Sequence, residues 1–538
     1  MRKARCFIAL VFGLFLASRT VAGEWPQFRG PNGAGVADAA KLPDAWSADH
    51  NVQWKVAVPG VAWSSPIVWG DKIFVTTAVT ANQRKPRSEG GGRGRPPFGG
   101  AGGRPGARPD ENPNPPDGAP SGENRATPET QRPGNNPGAA DASRPGVRSG
   151  GGFGGRSGGG WGRSQSPPDA IYQWQVLCLD RVTGRTLWKQ TALEAKPRIP
   201  THGSNTYASE TPVTDGERVY AYFGMHGLFC YDMAGKPLWQ KDLGWYPMVM
   251  GWGTSSSPAF DEKQVYVQCD NEEKSFLVAL DKRTGDQRWR VERKDRSSWS
   301  TPLVWRNKLR TEVVTLGSPM LRSYDPATGK PLWELNMGSG QPSSTPVADA
   351  EMLYAGLGGH GTPGGGGRGR MRPGAAEDEP AGGGRGGGGA LYAIRAGADG
   401  DVSLKSGEKS NAGVAWMAPR AAPEMSSPLA YHGYVYTFSR NGGIATCLDA
   451  KTGKELYKQR IPNAKSFWAS PWASDGRIYC LDDGGTTHVL AAGPKFKILG
   501  TNTIDEMFWA SPAVADDSVF LRSVDNLYCI RAKSADAE

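Results

Sequence analysis

Long hydrophobic runs are almost absent from these 538 residues. The longest, Phe7 to Ala17, is about half of what a bilayer span requires. It follows Arg2, Lys3 and Arg5 and precedes the small residues Ala22 and Gly23, so residues 1–23 read as a signal peptide. Cys6 precedes the apolar run, which excludes a lipoprotein acylation site. The chain is therefore expected to be exported, to the periplasm or the cell exterior, without a span or a lipid anchor.

Histidine and cysteine are also scarce. The six histidines are His50, His202, His226, His360, His432 and His488, and no two have ligand spacing, so no metal site is expected. Asp270-Asn-Glu-Glu273 lacks the spacing and the glycine of a calcium loop and reads as a solvated turn. Cys178, Cys230, Cys447 and Cys529 fill a repeated slot that Ala279 and Ala393 fill elsewhere. A residue interchangeable with alanine is a small packing group, so free buried thiols are predicted. There is no vicinal cysteine pair and no haem-attachment motif.

Apolar residues make up only 38% of the chain. The shortage is local. Residues 81–168 hold 23 Gly and 15 Pro, and residues 358–390 hold 16 Gly. Such composition cannot bury enough apolar surface to offset the entropy of ordering, so both stretches are expected to be disordered insertions. The net charge of +10 is local too: the insertions carry +6 and +1 and the first 23 residues +4, which leaves the remainder at −1. A near-neutral folded part and an export signal argue against a nucleic-acid partner despite the Gly-Arg tracts.

What is present is a repeat. A Ser/Thr-Pro step recurs at Pro66, Pro212, Pro258, Pro302, Pro346, Pro428, Pro471 and Pro512, about 44 residues apart once the insertions are removed. Each unit offers a short apolar strand, a polar turn, an aromatic and β-branched strand, a strand ending in Leu-Asp, then a turn and a strand carrying Trp. Asp180-Arg-Val-Thr-Gly184-Arg-Thr-Leu-Trp188 is one copy. Trp239, Trp289 and Trp333 hold the same place, and each is expected to dock its blade on the next. Eight such units predict an all-β, eight-bladed β-propeller over 61–530, with seven blades as the alternative. The last unit has only three strands. The segment 24–60 supplies an orphan strand around Trp54, which is expected to complete that blade. The weakest fourth strands lie around Leu404 and Ile498.

The Asp-x-x-Thr-Gly-x-x-x-Trp turn and the Ser-Pro step resemble the PQQ-like (quinoprotein-type) β-propeller repeat. Trp25-Pro-Gln-Phe-Arg-Gly-Pro31 resembles the opening of exported PQQ-like propeller proteins of planctomycete-type bacteria. The resemblance covers nearly all of the foldable chain. It implies one of two roles. The first is a non-enzymatic scaffold, as in the propeller lipoprotein of outer-membrane barrel assembly. The second is a PQQ-dependent alcohol or sugar dehydrogenase with a divalent cation in its funnel. Such enzymes commonly set a vicinal disulfide against the quinone, and this chain has none. The balance favours a non-catalytic, monomeric binding module for a protein or cell-envelope polymer, with no cofactor and no catalytic residue. PQQ with calcium is the alternative.

In a propeller the segments before each Ser-Pro step share one face with the loops between second and third strands. Trp63, Trp299, Trp468 and Trp509 stand three residues before their prolines, beside Ser64, Ser65, Ser300, Thr301, Ser470 and Ser511. Unit two instead offers His202, Asn205 and Glu210. These are the funnel ligand candidates; the alternative is that the tryptophans pack the blade tops and Glu210 is solvated in the channel. Both insertions fall between second and third strands, in units one and five, so they are expected on opposite rims of that face.

Overall fold

The computed structural model describes residues 23–83, 85–86, 166–358, 389–440 and 442–532. The expected signal segment, up to residue 22, and the bulk of both insertions lie outside these residues.

Eight antiparallel sheets form an eight-bladed β-propeller, and helix is confined to three short 3-10 turns among the described residues. Blade 1 is Ile67–Trp69, Lys72–Val79, Tyr172–Asp180 and Thr186–Ala195. Blades 2 to 7 follow in chain order. Blade 8 consists of Ala513–Ala515, Ser518–Arg522 and Asn526–Arg531. Its fourth strand is Val52–Ala57, which pairs antiparallel with Asn526–Arg531, Val52 opposite Ile530.

The outer hairpin of blade 1 shows why the repeat folds this way. Asp180 Oδ1 accepts hydrogen bonds from the Thr183 N–H and hydroxyl, both at 2.7 Å, which ties the turn. Gly184 takes φ +72°, and a Cβ there would lie 2.7 Å from the Trp54 ring. The Trp54 indole N–H then donates to the Arg181 carbonyl at 3.0 Å. Trp188, Trp239 and Trp289 donate in the same way to Met233, Lys282 and Pro326 in the next blade. One turn therefore ends a hairpin and receives the neighbouring blade.

Two expectations change around blade 5. Its fourth strand is Val414–Ala418, not a segment around Leu404. The repeat turn is replaced by a long excursion, of which Gly400–Asp401 pairs parallel with Pro331–Asn336 as a fifth strand of blade 4. Trp416 consequently does the docking, with its indole N–H on Ala450 at 2.9 Å. Trp333 docks differently: it is fully buried and donates to Glu312 Oε2 at 2.7 Å, because no repeat turn follows to receive it. Ile498–Thr503 is the fourth strand of blade 7, as expected.

The core is divided among the seams. The other seams each have an apolar cluster, and a single larger one, which includes Val68, Tyr479 and Phe520, joins blades 7, 8 and 1. Cys178, Cys230, Cys447, Cys480 and Cys529 are buried free thiols, and burial pushes Cys178, Cys230 and Cys447 up to about 12. Such thiols are inert at neutral pH. No helix of the described residues is long and apolar enough to cross a membrane.

Candidate functional site

The Ser/Thr-Pro steps form a circle around the channel. Ser65 N–H donates to Thr211 Oγ1 at 2.9 Å, Thr211 N–H to Ser257 Oγ at 2.9 Å, and Ser257 N–H to Thr301 Oγ1 at 3.1 Å. The series runs on through Thr345, Ser427 and Ser470 to Ser511, at 2.8–3.2 Å. Seven of the eight seams carry this bond. Of the hydroxyls expected to face a ligand, those of Thr301, Ser470 and Ser511 are therefore structural: each satisfies a backbone N–H that would otherwise be buried without an acceptor. Ser64 is equally committed, donating to Thr76 O at 3.1 Å.

The N-terminal segment crosses the innermost strands just after these steps. Trp25 forms an antiparallel bridge with Val68 of blade 1. The Pro26 carbonyl accepts from Thr214 N–H of blade 2 at 2.9 Å. Arg29 donates to the Pro428 carbonyl of blade 6 at 2.6 Å, and Val36 forms a parallel bridge with Ala473 of blade 7. Residues 25–37 thus occupy the free edges of several innermost strands, which would otherwise present unpaired backbone groups to the channel. Arg29 is 1% exposed, and burial lowers it to about 9. The funnel is a cup closed at its base.

At the mouth the aromatic candidates fall into two arcs. Trp468 stacks on Trp509 with ring centres 4.0 Å apart and an 11° tilt, and Trp509 meets Trp63 at 4.8 Å. Arg440, from the loop between second and third strands of blade 6, lies over the outer face of Trp468 at 4.1 Å. On the opposite side Trp252 joins His202 at 5.9 Å and Trp299 at 5.7 Å. The two arcs sense each other: after burial, the charge of Arg440 is the next cause that lowers His202.

The polar corner of unit two separates into three roles. His202 sits at the mouth, its Nδ1 2.7 Å from Ser204 Oγ. Asn205 is a staple. Its Nδ2 donates to Trp252 O at 2.9 Å and Thr254 O at 3.1 Å, and its Oδ1 accepts from Thr206 N–H and the Ser209 hydroxyl. Glu210 is not solvated in the channel. It is 2% exposed and accepts from the Thr254 hydroxyl at 2.6 Å. Burial raises it to about 7, because a carboxylate there loses its water. Thr254 and Gly224, which both touch Glu210, also line a pocket between blades 2 and 3 with Tyr222, Met225, Met248 and Cys269.

The Asp270 run is likewise not a solvated turn. Asp270 and Asn271 are buried, and Asp270 accepts two bonds from Arg293 at 2.8 and 3.0 Å. Arg293 also meets Asp295 at 3.1 Å. No three His, Cys, Asp or Glu side chains among the described residues are grouped to hold a metal ion. Sequence reasoning missed Arg440 and Trp252, which belong to irregular loops with no repeat position. It also missed the cap, although Trp25 to Pro31 had stood out as a motif.

Residues 174–358 match the PQQ-type family described as outer membrane protein assembly factor BamB. A sequence comparison with curated proteins gives no match. Among solved structures, BamB from Moraxella catarrhalis is similar at 14% identity over 68% of this chain and 90% of that one, with a TM-score of 0.44. The quinohemoprotein alcohol dehydrogenase of Comamonas testosteroni shares 11% identity over 69% and 75%, with a TM-score of 0.43. The quinohemoprotein alcohol dehydrogenase ADHIIG of Pseudomonas putida HK5 shares 10% over 96% and 82%, with a TM-score of 0.49. At these identities the likeness is one of fold alone. The fold is that of an eight-bladed β-propeller, and residues 174–358, about a third of the chain, are similar to the BamB family.

Proposed function

We propose that this propeller is an exported, non-catalytic binding module that receives a protein or polymer partner at its funnel mouth. The observation that carries this reading is the mouth itself: a cup closed at its base, rimmed by half-buried tryptophans, and holding one guanidinium on top of a stack. A concave, aromatic-lined surface with few polar groups is built to hold a ligand.

The residues present do not suit PQQ and a divalent cation. Trp509 is flanked by Trp468 and Trp63, and Trp468 by Trp509 and Arg440, so neither Trp468 nor Trp509 offers a flat quinone an open face. Glu210, a buried carboxylate near the mouth, is bound to Thr254 and raised to about 7, which makes it a poor ligand for a hard cation. The test is to add PQQ and calcium to purified protein and follow quinone absorbance together with alcohol-dependent dye reduction. No stoichiometric binding and no turnover are expected. Binding with turnover would establish the dehydrogenase reading in its place.

A further inference from the structure

The connector from blade 2 to blade 3 runs from Leu243 to Ser257 without a charged side chain. It covers the pocket between these blades, and Gly244, Trp245, Tyr246, Met248 and Thr254 form part of the pocket wall. Within it, Val249–Thr254 is bent sharply: Met250, Gly251 and Gly253 take φ +53°, +68° and +74°. That conformation is unfavourable for a non-glycine residue such as Met250, so neighbours have to hold it. Ser297 Oγ accepts from Val249 N–H at 2.8 Å, and Asn205 Nδ2 donates to the Trp252 and Thr254 carbonyls. The Trp299 indole N–H donates to the Gly253 carbonyl at 2.7 Å. A further tie, the Thr254 hydroxyl on Glu210 at 2.6 Å, ends on an ionisable group.

Glu210 stands two residues before its proline, where the other seven units hold Ser or Ala. Ser64, Ser344 and Ser426 turn their hydroxyls onto carbonyls of their own blades, those of Thr76, Gly356 and Phe438, at 3.1–3.2 Å. The longer side chain of Glu210 reaches the connector of the next blade instead. Tyr222 and Cys269, on the pocket wall, are raised by burial and stay neutral in the physiological range, and burial lowers His226 to about 4. His202 is lowered by burial too, and Asp270 is paired with Arg293. No cation stands beside Glu210 among the described residues, so its carboxylate form is costly while it is buried. We infer that Val249–Thr254 is a latch, fastened by the protonated Glu210 carboxyl and released when that carboxyl ionises and takes up water. Lifting one connector is a smaller opening than unfolding a blade. The cavity beneath, of about 20 Å³, has room for a water, and Gln268 Oε1 on its wall has no donor among the described residues, so water that enters finds an acceptor. The latch carries Trp252, which stands between His202 and Trp299 in the second arc. One proton thus sets whether that side of the mouth is assembled, whatever the mouth receives.

Hydrogen exchange at pH 5, 6, 7 and 8, expressed as protection factors to remove the intrinsic pH dependence, tests this. In the parent, protection of the Gly251 and Trp252 amides, which donate to Met248 and Val249, should fall by about tenfold or more from pH 5 to pH 7 and change little above. The amides of blade 6 should not follow. Glu210→Gln, which keeps His202 and the other titrating groups, should show no such fall. Thr254→Val cuts the tie without touching the carboxyl and should lower protection of the latch already at pH 5. At pH 8, iodoacetamide should alkylate Cys269 on the pocket wall about tenfold faster in the parent than in Glu210→Gln, intrinsic thiol chemistry being common to both. The latch is overturned if the parent profile is flat from pH 5 to pH 7, or if Glu210→Gln falls as the parent does. It is equally overturned if blade 6 loses protection in step with Gly251 and Trp252, because the proton would then act on the whole fold.

Discussion

Replacing Glu210 by Gln should convert a pH-dependent fold into a less dependent one. The carboxyl is buried beneath Thr254 and Gly224, and its folded value is about 7 against an ordinary 4.5. Between these two values the folded chain binds the proton more tightly than the unfolded chain does, so stability falls as pH rises through that window. It is fully present below pH 4.5 and fully lost above pH 7. At about 1.4 kcal/mol per pH unit, the gap corresponds to about 3 kcal/mol. Gln is close in shape, can accept the Thr254 hydrogen bond, and carries no charge to desolvate. Glu210→Gln should therefore match the parent at pH 5 and exceed it by up to about 3 kcal/mol at pH 8. Urea unfolding of both proteins at pH 5, 6, 7 and 8 measures the difference directly. Other carboxyls, Glu424 and Asp483 included, titrate in both proteins and cancel. A difference that stays constant across this range would refute the reasoning, because Glu210 would then be ionised and hydrated in the fold.

The remaining predictions concern the frame. Gly70 and Gly184 both have positive φ, but an added Cβ meets nothing at Gly70 and strikes the Trp54 ring at Gly184. Gly70→Ala should cost about 1–2 kcal/mol and Gly184→Ala clearly more, read as unfolding midpoints. Arg293→Met leaves Asp270 buried beside no cation, while Arg322 still pairs with Asp295, and should cost about 3–5 kcal/mol by urea unfolding, with a double change that also neutralises Asp270 recovering part of it. Ser427→Ala removes the acceptor of Thr345 N–H and should cost about 1–3 kcal/mol, visible as faster amide exchange at Thr345.

The fold was legible because the repeat writes the same physics eight times. Asp180, Thr183 and Gly184 announce a turn, and a tryptophan at fixed spacing announces a seam. Blade 5 was misread at its fourth strand for the same reason: its turn departs from the repeat, so spacing pointed to Leu404 rather than Trp416. The mouth was legible only in part. Trp63, Trp468 and Trp509 could be placed from their distance to proline, and they do adjoin. Burial could not be read for Glu210, because a carboxylate at a loop position looks solvated until Thr254 and Gly224 close over it. Arg440 and the cap are products of closure. They depend on which loops meet across a ring, and no local pattern records that.

Closing the ring through Val52–Ala57 has a consequence in time. Gln53 reaches Arg531 across 478 positions, so the last sheet cannot form until the chain has emerged to that point. The entropy of that closure is about 5 kcal/mol, to be recovered at once by the sheet, the Trp54 seam and the channel cap. Blades 1 to 7 can gather as they appear, but the strand Val52–Ala57, which carries Trp54, must wait unpaired while they do. A chain handed across a membrane as a thread would keep that waiting segment exposed for the whole of its passage. It is there that a chaperone, or a protease, would find this protein.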